Sequence, residues 1–121
     1  MMKVPYVNLV AQHAAIKSKL LAAVETVLDH GQFILGEEVD EFERRFAELC
    51  GVSNSVGVNS GTDALILALK ALGVGPGDEV ITVPGSFVAS TSCIALVGAL
   101  PVFVDVRGDY NIDPSLIEAA I

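Results

Sequence analysis

Hydrophobic and polar positions follow two rhythms along this chain. From about Leu9 to Leu28 the apolar residues Leu9, Ile16, Leu20, Val24, Val27 and Leu28 recur at helical intervals, and Gly31 stands where it would end the helix. A loop from Gly31 to Gly36 follows. The next stretch sets Val39, Phe42, Phe46 and Leu49 on one helix face, with acidic residues massed in its first turns and Gly51 after its end. Negative charge suits the positive end of a helix dipole, and glycine suits the left-handed residue that closes a helix. The acidic run itself predicts a solvated face.

After Gly51 the rhythm changes. Ser55 to Val58 predicts a short strand, Asn59 to Thr62 a turn, and Leu65, Ile66, Leu69 and Leu72 a helix ended by Gly73. Gly75 to Asp78 predicts another turn, Glu79 to Val83 a β-branched strand and Pro84 to Ser86 a further turn. A helix is expected from about Phe87 to Val97, and a strand from Val102 to Val106. Asp113 and Pro114 suit the N-cap and first position of one more helix. Strand, helix, strand, helix, strand with short connections predicts an α/β architecture, a largely parallel sheet with flanking helices. The runs Val-Ile-Thr-Val and Val-Phe-Val lack polar alternation and fit a sheet covered on both faces.

Composition adds a constraint. The chain has 121 residues, 52% hydrophobic and only 18% charged. A small free-standing domain exposes much surface and needs more charge, so further polypeptide, a second subunit or both are expected to cover this one. The formal charge of -8 argues against a nucleic-acid or anionic-membrane partner. The few basic residues, Lys3, Lys17, Lys19, Lys70, Arg44, Arg45 and Arg107, are scattered. Phe87 to Val106 is apolar enough to raise a membrane span, but Gly98, Pro101 and Asp105 break it. The opening residues turn polar too early for a secretory leader. Cys50 and Cys93 form no metal motif and predict buried thiols in a reducing compartment. A soluble, cytoplasmic protein without a metal site is expected.

In open α/β sheets, ligands bind beyond the carboxyl ends of strands, where loops lead into helices. The turn Asn59-Ser60-Gly61-Thr62 places two hydroxyls and a glycine at a helix N-terminus, where free N–H groups and the dipole can hold a phosphate. A plain capped turn, with Ser60 or Thr62 as N-cap, accounts for the same residues. Asp63 must point away from the site if a phosphate binds there. Phe87 follows the next strand, as a core residue or as a ring lying flat on a planar ligand. Arg107 to Tyr110 predicts a surface turn. His30 suits the carbonyls at a helix end, and His13 a helix surface.

The segments VGVNSGTDALILALKALGVGPGDEVITVP, SFVAS, GALPVFVDV and NIDPSLIEAAI occur in that order, preceded by VPYVNL and HGQFILGEEVDEFERRFAELCGV. Together they resemble the N-terminal third of the DegT/StrS-type nucleotide-sugar aminotransferases. These are fold-type I enzymes dependent on pyridoxal 5'-phosphate (PLP). The resemblance implies the first part of the large PLP-binding domain over residues 53–121, incomplete at its C-terminus, behind an N-terminal helical segment over 1–52. It implies that Gly61 and Thr62 hold the cofactor phosphate with Ser60 beside them, and that Phe87 stacks on the pyridine ring.

In that family the Schiff-base lysine and the carboxylate partner of the ring nitrogen lie downstream of the matched region, so no catalytic residue is assigned in this chain. The intact enzyme would be a homodimer passing an amino group, commonly from glutamate, to a keto-sugar nucleotide. The chain alone is expected to be inactive. One alternative is a non-catalytic truncated homologue that binds a phosphorylated ligand or pairs with a full-length subunit. A dinucleotide-binding half of a reductase ranks last, because its glycine fingerprint is absent.

Overall fold

A computed structural model describes residues 4–121; Lys3 lies outside them. The chain divides into two compact units, the first ending at Gly57 and the second spanning Val58–Ile121.

The first unit is helical. Helices α1 (Leu9–Ala14), α2 (Lys17–His30) and α3 (Glu37–Cys50) follow one another. The single helix expected from Leu9 to Leu28 is two. Asn8 caps α1, its side chain accepting from the Ala11 N–H at 3.1 Å. Ile16 then leaves helical geometry, at φ -116° and ψ 0°, so the chain breaks without a proline or glycine. Gly31 and Gly51 adopt φ of 70° and 67° and close α2 and α3. That left-handed backbone is why glycine stands at both positions. Only Ala47 of these helices is buried, and Phe42 stacks on Phe46 with ring centroids 5.7 Å apart.

The second unit carries the sheet and the core. Helix α4 (Gly61–Ala71) leads into β1 (Glu79–Thr82), which crosses through α5 (Ala89–Leu96) to β2 (Leu100–Phe103). The strands run parallel, with Glu79 opposite Leu100 and Thr82 opposite Phe103. A parallel pair needs a crossover, and α5 supplies it. Cys93, Ile94, Val97 and Ala99 form the buried cluster, with Ile66, Leu69, Val74 and Val80 packed against it. The α/β class and the parallel sheet with flanking helices are thus present.

Two strand expectations change. Residues 55–58 pair with no strand among the described residues, and Val56 is 79% exposed. A strand needs a ladder partner for its N–H and C=O groups, and the described sheet has two strands only. The expected strand from Val102 to Val106 shifts to 100–103. The Val104 N–H still reaches the Thr82 carbonyl at 3.0 Å, but the Asp105 carboxylate then takes the Val106 N–H at 2.7 Å and turns the chain. Arg107 to Tyr110 is the expected turn, closed by Val106 pairing with Ile112. Asp113 caps a 3-10 turn, Pro114–Leu116, by accepting from the Ser115 N–H at 2.9 Å. The Ser115 hydroxyl, which donates to the same carboxylate at 2.7 Å, and then this N–H hold the Asp113 carboxyl below its ordinary pKa. Cys93 is buried as expected, whereas Cys50, on the last turn of α3, is exposed.

The apolar stretch from Phe87 to Val106 is divided between α5 and β2. Among the described residues no helix is long and apolar enough to cross a membrane.

Candidate phosphate-binding turn and aromatic loop

Short turns reverse the chain between α4 and β1 and again between β1 and α5. The N-terminal ends of both helices therefore lie at the carboxyl end of β1, the edge where α/β sheets place ligands. Leu65 near the start of α4, Thr82 at the end of β1 and Ser90 near the start of α5 line one cleft of about 220 Å³.

Ser60 is the N-cap of α4, in extended backbone at φ -155° and ψ 156°. Its hydroxyl oxygen accepts from the Asp63 N–H at 3.1 Å, and its own proton goes to Asp63 Oδ2 at 3.0 Å. The capped-turn reading of Ser60 is therefore realised. Asp63 folds back along the turn onto Ser60. The reciprocal bond between Ser60 and Asp63 follows the Ser-x-x-Asp spacing, the signal in the sequence that carries it.

Gly61 does not occupy the special backbone angle that a turn glycine suggests. It is absent from the positive-φ glycines, and a Cβ built on it would meet nothing within 4 Å. Neither backbone conformation nor packing within the chain demands glycine there. Among the described residues, the N–H groups of Gly61 and Thr62 and the Thr62 hydroxyl have no hydrogen-bond partner. The turn is an open cradle fronted by two N–H donors and a hydroxyl.

Phe87 sits in the loop before α5, 76% exposed. The core alternative does not describe it in this chain. Its carbonyl accepts from the Ser90 N–H at 3.0 Å, and Ser86 and Ser90 hydroxyls meet at 2.8 Å, which pins the backbone on which the ring stands.

The match to known proteins spans the same elements. Residues 14–121 match the DegT/DnrJ/EryC1/StrS aminotransferase family. The chain belongs to this family.

Among DegT/DnrJ/EryC1/StrS relatives, the chain is 49% identical over 119 residues to the UDP-2-acetamido-2-deoxy-3-oxo-D-glucuronate aminotransferase of Pseudomonas aeruginosa, covering 98% of this chain and 33% of that protein. It is 44% identical over 120 residues to a dTDP-3-amino-3,4,6-trideoxy-alpha-D-glucose transaminase of Streptomyces venezuelae, covering 98% and 32%. Its fold superposes on the crystal structure of S. venezuelae DesV in complex with a ketimine intermediate, with a TM-score of 0.94 and 43% identity, over 100% of this chain and 33% of that one. A Bacillus subtilis protein, NtdA, solved with bound cofactor PMP, gives a TM-score of 0.92 at 33% identity over 100% and 28%. The chain thus spans about a third of the length of the family members it matches.

In the first unit several titratable groups serve structure. His30 Nδ1 accepts from the Gln32 N–H at 3.0 Å while Nε2 meets Glu38 Oε1 at 2.9 Å. The bond from His30 holds the Glu38 carboxyl below its usual pKa. The hydrogen bonds from Arg44 and then Arg45 do the same for Glu41. Glu43, which the sequence placed in a solvated acidic run, has a specific task. Its carboxylate takes the Gly57 N–H and its carbonyl the Ser55 hydroxyl, each at 2.6 Å. His13 lies exposed on α1. No cluster of metal-ligating side chains occurs among the described residues.

Proposed function

We propose that this chain supplies the cofactor grip of a PLP-dependent aminotransferase that moves an amino group, commonly from glutamate, to a keto-sugar nucleotide. The observation that carries this reading is the cradle at Gly61: a helical glycine with open space before it and two free N–H groups at the positive end of α4. That donor set fits a phosphate, and the exposed ring of Phe87 at the same end of β1 fits a planar heterocycle. Gly61 and Thr62 would hold the phosphate, with Ser60 beside them, and Phe87 would limit tilting of the ring.

When bound, PLP supplies a carbonyl that accepts an amino group and a ring that stores the electron pair. The residues of this chain bind and orient. Lys70 stands in the last turn of α4, at the opposite end of the helix from the cradle. No lysine here is assigned the chemistry, and the chain alone is expected to be inactive. The reading includes a homodimeric, cytoplasmic enzyme, with residues 53–121 as the first part of its cofactor domain and 1–52 as a helical segment.

Equilibrium dialysis with pyridoxamine 5'-phosphate tests the grip without interference from aldehyde reactions at surface lysines. Saturable binding is expected, weakened at least about tenfold by Gly61→Val, whose side chain would occupy the cradle, and several-fold by Phe87→Ala. Absence of saturable binding, or indifference to Gly61→Val, would overturn the reading.

A further inference from the structure

The Ser60–Asp63 pair carries one step beyond this reading, and it rests on that reading. A serine hydroxyl has a single proton, and in Ser60 it is donated to Asp63 Oδ2 at 3.0 Å. The same oxygen accepts the Asp63 N–H at 3.1 Å. Ser60 therefore offers an approaching phosphate a lone pair and no proton. Asp63 meanwhile sets a carboxylate in the first turn of α4, the same turn that carries the two free N–H groups a phosphate would use. No ion pair engages Asp63 among the described residues. Its internal partners are Ser60 and the helix dipole.

We propose that Asp63 is a built-in counter-anion for the phosphate turn. It is a positioning residue that shapes and stabilises the empty turn through Ser60, and it opposes the phosphate once that arrives. The grip then consists of the Gly61 and Thr62 N–H groups and the Thr62 hydroxyl, with Ser60 shaping the turn without touching the ligand. This arrangement gives Asp63 opposite effects on the empty and the filled turn. A purely structural residue would stabilise both.

Asp63→Asn keeps an oxygen that can accept the Ser60 proton while removing the charge. Hydrogen exchange at the start of α4 in the ligand-free chain should become faster, because the dipole loses its anion. Affinity for pyridoxamine 5'-phosphate should rise roughly two- to fivefold, the scale expected for removing one screened charge about a helical turn from a dianion. Pyridoxamine, which lacks the phosphate, should show no such gain. Asp63→Glu keeps the charge and should return both readouts towards wild type.

If wild-type binding saturates and protects α4 but Asp63→Asn binds no tighter, or if pyridoxamine gains equally, the proposal for Asp63 is overturned and the cradle stands. If no variant binds saturably, the cradle reading fails and Asp63 falls with it.

Discussion

Replacing Gly98 with alanine probes the joint between α5 and β2, where two costs coincide. Gly98 has φ of 87°, and a Cβ there would lie 2.9 Å from Pro76 Cγ and 3.3 Å from Pro76 Cδ. Left-handed backbone costs an L-residue about 1–2 kcal/mol. The contact adds an overpacking cost of about 1–3 kcal/mol, since a proline ring can adjust only by a change of pucker and its Cδ is tied to the backbone nitrogen. Nor can the Pro76 turn retreat easily. The Asp78 carboxylate holds the Gly75 N–H at 2.8 Å, and the Asp78 N–H returns to the Gly75 carbonyl at 3.1 Å. Gly73 supplies the control: φ is 79°, but nothing lies within 4 Å of a Cβ.

Gly73→Ala should therefore lose only the backbone share, about 1–2 kcal/mol, and Gly98→Ala about 2–5 kcal/mol in all. Native-state hydrogen exchange of the α5 and β2 amides in dilute urea reads the loss locally, without requiring the whole chain to unfold in one step. If the two variants differ by less than about 0.5 kcal/mol, the Pro76 contact is not a real constraint on this joint.

Acid should loosen the first unit. The folded pKa of Glu38 is depressed by its bond from His30, so its stabilising share is present above the ordinary glutamate pKa and is lost as pH falls through the depressed value. Helix content followed by circular dichroism should decline below about pH 4.3, and Glu38→Gln should remove part of that slope; an unchanged slope would show that the pair does not contribute. A second expectation concerns association. Leu35, Leu49, Phe33 and Phe87 are 77%, 81%, 68% and 76% exposed, so the 121-residue chain should self-associate at micromolar concentration in sedimentation velocity. A monodisperse monomer with a sharp melt would refute this.

The chain's local grammar was legible where the deciding interaction is itself local. Gly31, Gly51 and Gly98 end helices because each takes positive φ, and Asp113 caps because its acceptor lies two residues from its donor. The break at Ile16 was not legible, since its apolar spacing continues straight through it. Residues 55–58 misled for a different reason. Their apolar run describes what would fit a sheet, and pairing depends on a neighbouring strand that no local pattern encodes. At the candidate site, Ser60, Gly61, Thr62 and Phe87 were singled out in the sequence by turn chemistry and position. Whether Gly61 serves a backbone angle or an open cradle, and whether Phe87 is covered, are three-dimensional facts.

The crossover helix also bears on the order in which the chain acquires structure. Every member of the buried cluster and its packed neighbours falls between Ile66 and Ala99, and α5 draws β1 and β2 together from adjacent stretches of sequence. Loop closure is least costly for such near contacts, so the segment from α4 through β2 is suited to act as the folding nucleus. The three preceding helices, with Ala47 as their one buried residue, have no comparable local core from which to start. Substitutions at Ile94 should therefore slow folding, while those on α2 should chiefly speed unfolding.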